Sequence, residues 1–173
     1  MSARSIVQGR LPATLLFAAA LAATLLVTGC SGKPKVVVDP EIEEAVRVRK
    51  QNFSEIGTIA KNINDALKSG GKLQGNPTIA SSVQQLNSYA NDQKFWFKEG
   101  TGPESGADTA AKPEIWTQPE EFAQKSQALV EASAQLATVY AGGDDAAFAT
   151  QWKAVGQTCE ACHEKFKNKD KDD

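Results

Sequence analysis

Three long stretches of this chain carry apolar residues at alternating steps of four and three, and no segment of comparable length alternates with a period of two. Ile42, Val46, Arg49, Phe53, Ile56, Ala60, Ile63 and Leu67 form the first series; Phe148, Trp152, Val155, Cys159, Cys162 and Phe166 form the last. Between them, Phe122, Leu129, Ala132, Leu136 and Tyr140 repeat the pattern less regularly, with Lys125 or Ser126 interrupting its start. Such stripes are the inner seam of nearly antiparallel helices packed as a bundle.

The punctuation agrees. Asp39-Pro40 followed by Glu41, Glu43 and Glu44 is a helix start, with a capping residue, a proline at the first helical position and acids in the first turn, and Gly70-Gly71 is a stop. A second helix is expected from about Pro77 to the neighbourhood of Phe97, although its apolar pattern is the least clear. The run from Gly100 to Pro113 is rich in Gly, Pro, Thr and Ser and reads as a long loop. Thr117 and Glu120 have the spacing of a capping box opening a helix that runs to Gly142-Gly143, and Asp144 opens the last helix, which should reach about Lys167. The fold expected for residues 39–173 is therefore one all-α, antiparallel four-helix bundle with short links between its first two and last two helices.

Before that bundle, Arg4 and Arg10 precede an apolar run from Leu11 to Val27 that ends in Thr28-Gly29-Cys30. Small residues before a cysteine mark a lipoprotein signal: residues 1–29 would be removed, Cys30 lipidated, and residues 30–38 left as a tether. An uncleaved membrane anchor is the alternative, since the run is near the lower limit for crossing a bilayer. Either reading puts the bundle outside the cytoplasmic membrane, and the signal reading makes it a periplasmic, membrane-tethered protein. A formal net charge of −2 argues against nucleic-acid binding.

Rare residues narrow the chemistry. The chain has one histidine, His163, one methionine, Met1, and three cysteines, so a two-histidine haem or a histidine-rich zinc site is excluded by counting. Cys159-Glu160-Ala161-Cys162-His163 is the pattern that attaches a c-type haem: two thiols add to vinyl groups and the imidazole takes an axial position on the iron. Positions i, i+3 and i+4 share one helical face, which suits this task. Three alternatives stand beside it: a disulfide, which helical geometry strains; a thioredoxin-like pair, which wants a strand-to-helix setting; and a zinc site, which lacks a second ligand pair.

With these residues in hand, the chain resembles the cytochrome c′ family. The resemblance rests on the C-terminal CEACHEKFK, on KPEIWTQPEEF (Lys112 to Phe122), on GTGP in the long loop and on VRVRKQNFSEIG (Val46 to Gly57). It implies an antiparallel four-helix bundle around one covalent haem c and a homodimer formed through the first two helices. It also implies a five-coordinate, high-spin iron whose sixth site binds nitric oxide or carbon monoxide. Low-spin members place a methionine of the first helix on the iron; matching VRVRKQNF puts Phe53 at that position. With Met1 removed and His163 committed, the usual sixth ligands are absent, leaving only lysine or the two tyrosines, Tyr89 and Tyr140, to which the pattern does not point.

Phe53 reads as plain seam packing and also as a cover for the open face that offers no hydrogen bond, favouring nitric oxide and carbon monoxide over dioxygen. Arg49 is a charge on an apolar seam. A snorkelling guanidinium is the bland explanation, and a grip on the haem propionates is what the resemblance implies. Lys50 is the next propionate candidate and Thr101 a weaker one. Trp116 is expected as a pocket neighbour, and Lys167 stands where many relatives have arginine. Two functions follow: an electron carrier serving redox partner proteins, or a gas-buffering or sensing protein. No second acid, base or metal cluster accompanies the motif, so no enzymatic role is expected.

Overall fold

The computed structural model describes residues 37–171; the expected signal over 1–29, Cys30 and most of the expected tether over 30–38 lie outside them. Four long helices, α1 (Pro40–Ser69), α2 (Pro77–Asp92), α4 (Pro119–Gly142) and α5 (Asp145–Phe166), are joined with one short turn, α3 (Glu114–Thr117), and no strand occurs among the described residues. Asp39 caps α1 by accepting from the Glu41 amide at 2.8 Å, and Asp144 caps α5 by accepting from Ala146 and Ala147 at 2.9 Å. The stops at Gly70 and Gly143 are left-handed, with φ of 63° and 78°, a conformation that costs a glycine nothing.

The start of α4 differs from the expected capping box. Thr117 ends α3 and donates back to the Pro113 carbonyl, while Gln118 is the cap of α4 and its side chain makes no capping bond. Pro119 at the first helical position sets the turn instead, its missing N–H being one that would lack a helical partner anyway. Likewise α2 stops at Asp92, and residues Gln93–Phe95 continue as a single tighter turn.

Helix α2 lies between α1 and α4, and α4 packs on α5. Neighbours run antiparallel: Asn87 meets Ser133 and Gln93 meets Ser126 between α2 and α4, while Tyr140 meets Phe148 and Glu121 meets Lys165 between α4 and α5. The buried stripe of α4 is Phe122, Ser126, Leu129, Ser133 and Leu136, so serine occupies two seam positions and Ala132 stands beside the stripe. Ile59 of α1 is buried as well, and Ile79, Val83, Leu86 and Ala90 give α2 its inner face. Burial of each large apolar side chain contributes about 1.5–3 kcal/mol, so this core stabilises the bundle throughout its length.

The fourth side, between α1 and α5, is different. At one end Trp152 donates its indole N–H to the Asn64 side chain at 2.8 Å, tying the helices together. At the other end they are parted by a cavity. Two apolar clusters meet there: the main core, against which Cys159 packs, and a smaller one of Ile115, Phe122 and Phe166, against which Cys162 packs.

Candidate functional site

Because α5 presents Cys159, Cys162 and His163 within one turn, all three line the same cavity, of about 490 Å³, which falls in the size range of ligand and cofactor sites. Phe53 of α1 faces His163 with ring centroids 6.1 Å apart and a tilted, edge-on arrangement. Behind Phe53, Trp96 and Phe97 hold its ring at 5.3 and 6.1 Å, so the α1 wall is braced by the turn that follows α2. Ile56, Ile115, Phe122, Leu129 and Phe166 make the cavity predominantly apolar.

The two cysteines are free thiols, half-buried, and burial governs their chemistry. It pushes Cys162 up to about 11, with the neighbouring Cys159 adding to the rise and Lys125 opposing it; burial raises Cys159 too. Both are neutral thiols at pH 7, which is unlike the lowered thiol of a thioredoxin-like redox pair. Among the described residues no group of three or more His, Cys, Asp or Glu side chains is placed to hold a metal ion directly.

Charge enters the wall with one sign. Among the described residues Arg49, Lys50, Lys125 and Lys167 line the cavity and no acidic residue does. Arg49 is only 3% exposed, and its guanidinium is held by the long loop. It donates to the Thr101 hydroxyl at 3.0 Å, to the Thr101 carbonyl at 2.9 Å and to the Thr109 hydroxyl at 2.8 Å, and it stacks 4.9 Å from the centre of the Phe97 ring. Buried polar groups survive when hydrogen-bonded, and this fork is well matched to that task. It is not a snorkelling side chain at a bundle end. Lys50 sits at the rim, 3.4 Å from Asp108, and that contact holds the Asp108 carboxyl below its ordinary value, with Lys171 adding to the effect.

Thr101 and Trp116 stand one layer behind the wall rather than in it. Thr101 serves Arg49, while Trp116 donates its indole N–H to the Lys98 carbonyl at 3.1 Å and packs on the loop backbone. A Cβ at Gly102 would lie 2.8 Å from the Trp116 ring, so the GTGP and PEIW segments need each other. Lys167 lines the cavity just past α5, where the chain doubles against the loop: Lys112 donates to Phe166 at 2.9 Å and Asn168 to Ala110 at 2.7 Å. Neither Tyr89 nor Tyr140 lines the cavity; Tyr140 reaches toward the Leu73 and Asn76 carbonyls. Thr109, Lys125 and Gln93 are among the site residues that sequence reasoning missed. Of these, only Lys125 carried a signal, as a break in the α4 stripe.

A planar, dianionic macrocycle tethered from one helix face fits these features: adjacent thiols and an imidazole on α5, an apolar slot opposite them, and a lining whose charged side chains are all cations among the described residues. Comparison with known proteins agrees. A family model described as Cytochrome C′ matches residues 44–167. Cytochrome c′ of Pararhodospirillum photometricum is 30% identical over 125 residues, covering 72% of this chain and 97% of that protein. Cytochrome c-556 of Agrobacterium tumefaciens is 30% identical over 129 residues, covering 75% and 98%. Among solved structures, a nitric oxide complex of a substituted cytochrome c prime from Alcaligenes xylosoxidans superposes with a TM-score of 0.65 at 26% identity, covering 74% of this chain and 97% of that one. The cytochrome c′ of Thermochromatium tepidum, with a TM-score of 0.66 at 23% identity and coverage of 73% and 95%, has the same fold. By the extent of these matches and the fit of its cavity, the chain belongs to the cytochrome c′ family, whose proteins bind one covalent haem c.

Proposed function

We propose that this chain holds its haem c through thioether bonds at Cys159 and Cys162, with His163 as the axial ligand and the opposite iron face open. It then acts outside the cytoplasmic membrane as a one-electron carrier and nitric oxide binder. Each thioether forms by addition of a thiol S–H across a vinyl group, so that sulfur bonds to one carbon, hydrogen to the other, and no oxidant is consumed. When bound, the haem supplies a one-electron iron couple and a coordination position for a diatomic ligand.

The observation that carries this reading is the His163–Phe53 axis: an imidazole on one wall faces a hydrocarbon ring on the other. Phe53 has no lone pair to give a metal, and the only methionine of the chain is Met1. Phe53 therefore restricts the open face without filling it. Arg49 and Lys50 place positive charge where propionates would lie, and Lys167 adds to it from the α5 side. The nitric oxide complex of the related Alcaligenes protein supports a gas ligand here. Lipidation at Cys30 would tether the protein to a membrane, and pairing through α1 and α2 would make it a dimer.

Attachment is tested by peptide mass spectrometry of protein matured with haem. The haem mass should stay on the peptide holding Cys159 and Cys162 after denaturation, and Cys162→Ser should lose one of the two thioethers. Haem that extracts freely from the unmodified protein refutes the assignment.

A further inference from the structure

The inner stripe of α2 runs Ile79, Val83, Leu86 and Ala90 at steps of four, three and four, and the next step of three lands on Gln93. An amide thus occupies a seam position. Gln93 is 4% exposed and lines the cavity. Its Nε2 donates to the Ser126 carbonyl at 3.3 Å, a long contact, and this is its side chain's only hydrogen bond among the described residues. A glutamine amide offers two protons and two lone-pair sites, so most of its capacity is unused. Next to it Ser126, 5% exposed, has a hydroxyl oxygen with no partner. Burying such groups costs stability unless they are bonded, so this polar spot in an apolar wall calls for a ligand-side partner.

Topology says which face of the cavity it serves. Gln93 follows directly on α2, which packs on α1 and α4, and it opens the turn that places Trp96 and Phe97 against Phe53. Cys159, Cys162 and His163 come from α5. Gln93 therefore belongs with Phe53 to the wall across from the axial imidazole. We propose that Gln93 is a specificity-determining residue: its free amide proton hydrogen-bonds a ligand on the open iron face, favouring ligands whose outer atom accepts a proton. The wall is then not uniformly inert, and Phe53 alone does not set ligand preference. This rests on the open face proposed above.

Two probes test it, carbon monoxide on the ferrous holoprotein and cyanide on the ferric form. A donated hydrogen bond draws electron density toward the outer atom and lowers the carbonyl stretching frequency. Gln93→Leu should raise that frequency and weaken cyanide binding about two- to tenfold, as expected for one neutral hydrogen bond. Gln93→Asn keeps the amide one methylene short of its place and should shift both readouts less; it serves if the leucine variant does not take up haem. A stretch and a cyanide affinity equal to the parent's in the substituted protein overturn the proposal, even if thermal stability falls. Failure of both probes to bind the parent overturns the open face as well, which separates the two claims.

Discussion

Arg49 is the side chain whose replacement should cost most for its size. It makes three hydrogen bonds from a site 3% exposed, at 2.8, 2.9 and 3.0 Å, and stacks on Phe97. Hydrogen bonds from a charged donor contribute about 1.5–3 kcal/mol each in net terms. Arg49→Leu also leaves the Thr101 carbonyl without that donor, whereas the Thr109 hydroxyl still accepts from the Ala111 amide at 3.1 Å. Apolar burial of leucine offsets part of the loss, so the expected destabilisation is about 3–5 kcal/mol. Urea unfolding of the holoprotein, followed by far-ultraviolet circular dichroism, measures it. Arg49→Lys should recover only part, because one ammonium cannot span Thr101 and Thr109 as a planar fork does. Loss of this cavity-lining charge should also lower the reduction potential of a haem held there, by favouring the ferric state. A change below about 0.5 kcal/mol for Arg49→Leu, the size of an ordinary surface effect, would refute the claim that this arginine ties the loop to α1.

Three further outcomes follow from the structure. Phe53→Ala should speed carbon monoxide association on the order of tenfold if its ring contributes about 1.4 kcal/mol of the entry barrier, and stopped-flow rates equal to the parent's would place the barrier elsewhere. Phe148→Ala, at a site 1% exposed and remote from the cavity, should cost about 3–5 kcal/mol of stability without moving the haem spectrum. The Asp108 carboxyl, held below its ordinary value by Lys50, contributes its rim contact at neutral pH and loses it only as pH falls through that lowered value; an NMR titration showing an ordinary carboxylate value would contradict this.

The left-handed stops of α1 at Gly70 and of α4 at Gly143 were legible in the sequence, and so were the starts of α1 and α5, which carry their own caps in Asp39-Pro40 and Asp144. The seams of α1 and α5 were legible because large apolar residues dominate them. In α4 the true stripe passes through Ser126 and Ser133, of which only Ser133 has its hydroxyl bonded from another helix, by Asn87 of α2, so polarity hid the period. The same cause hid Gln93, whose place on the α2 seam shows only once Ala90 is known to be buried. The capping-box spacing at Thr117 misled because Pro119 offered a competing start two residues later. Arg49 stood out as a charge on a seam, but its hold on Thr101 and Thr109 is 52 and 60 residues distant in sequence and no local pattern encodes it.

The proposed open iron face opposite His163 is tested most directly by the optical spectrum of the purified holoprotein at neutral pH, recorded with and without nitric oxide. A high-spin spectrum in both ferric and ferrous forms is expected, changing on addition of nitric oxide to that of a nitrosyl complex. A low-spin spectrum before any ligand is added would mean that a side chain, one of the cavity-lining lysines Lys50, Lys125 and Lys167 first among them, already occupies the sixth position, and would contradict it.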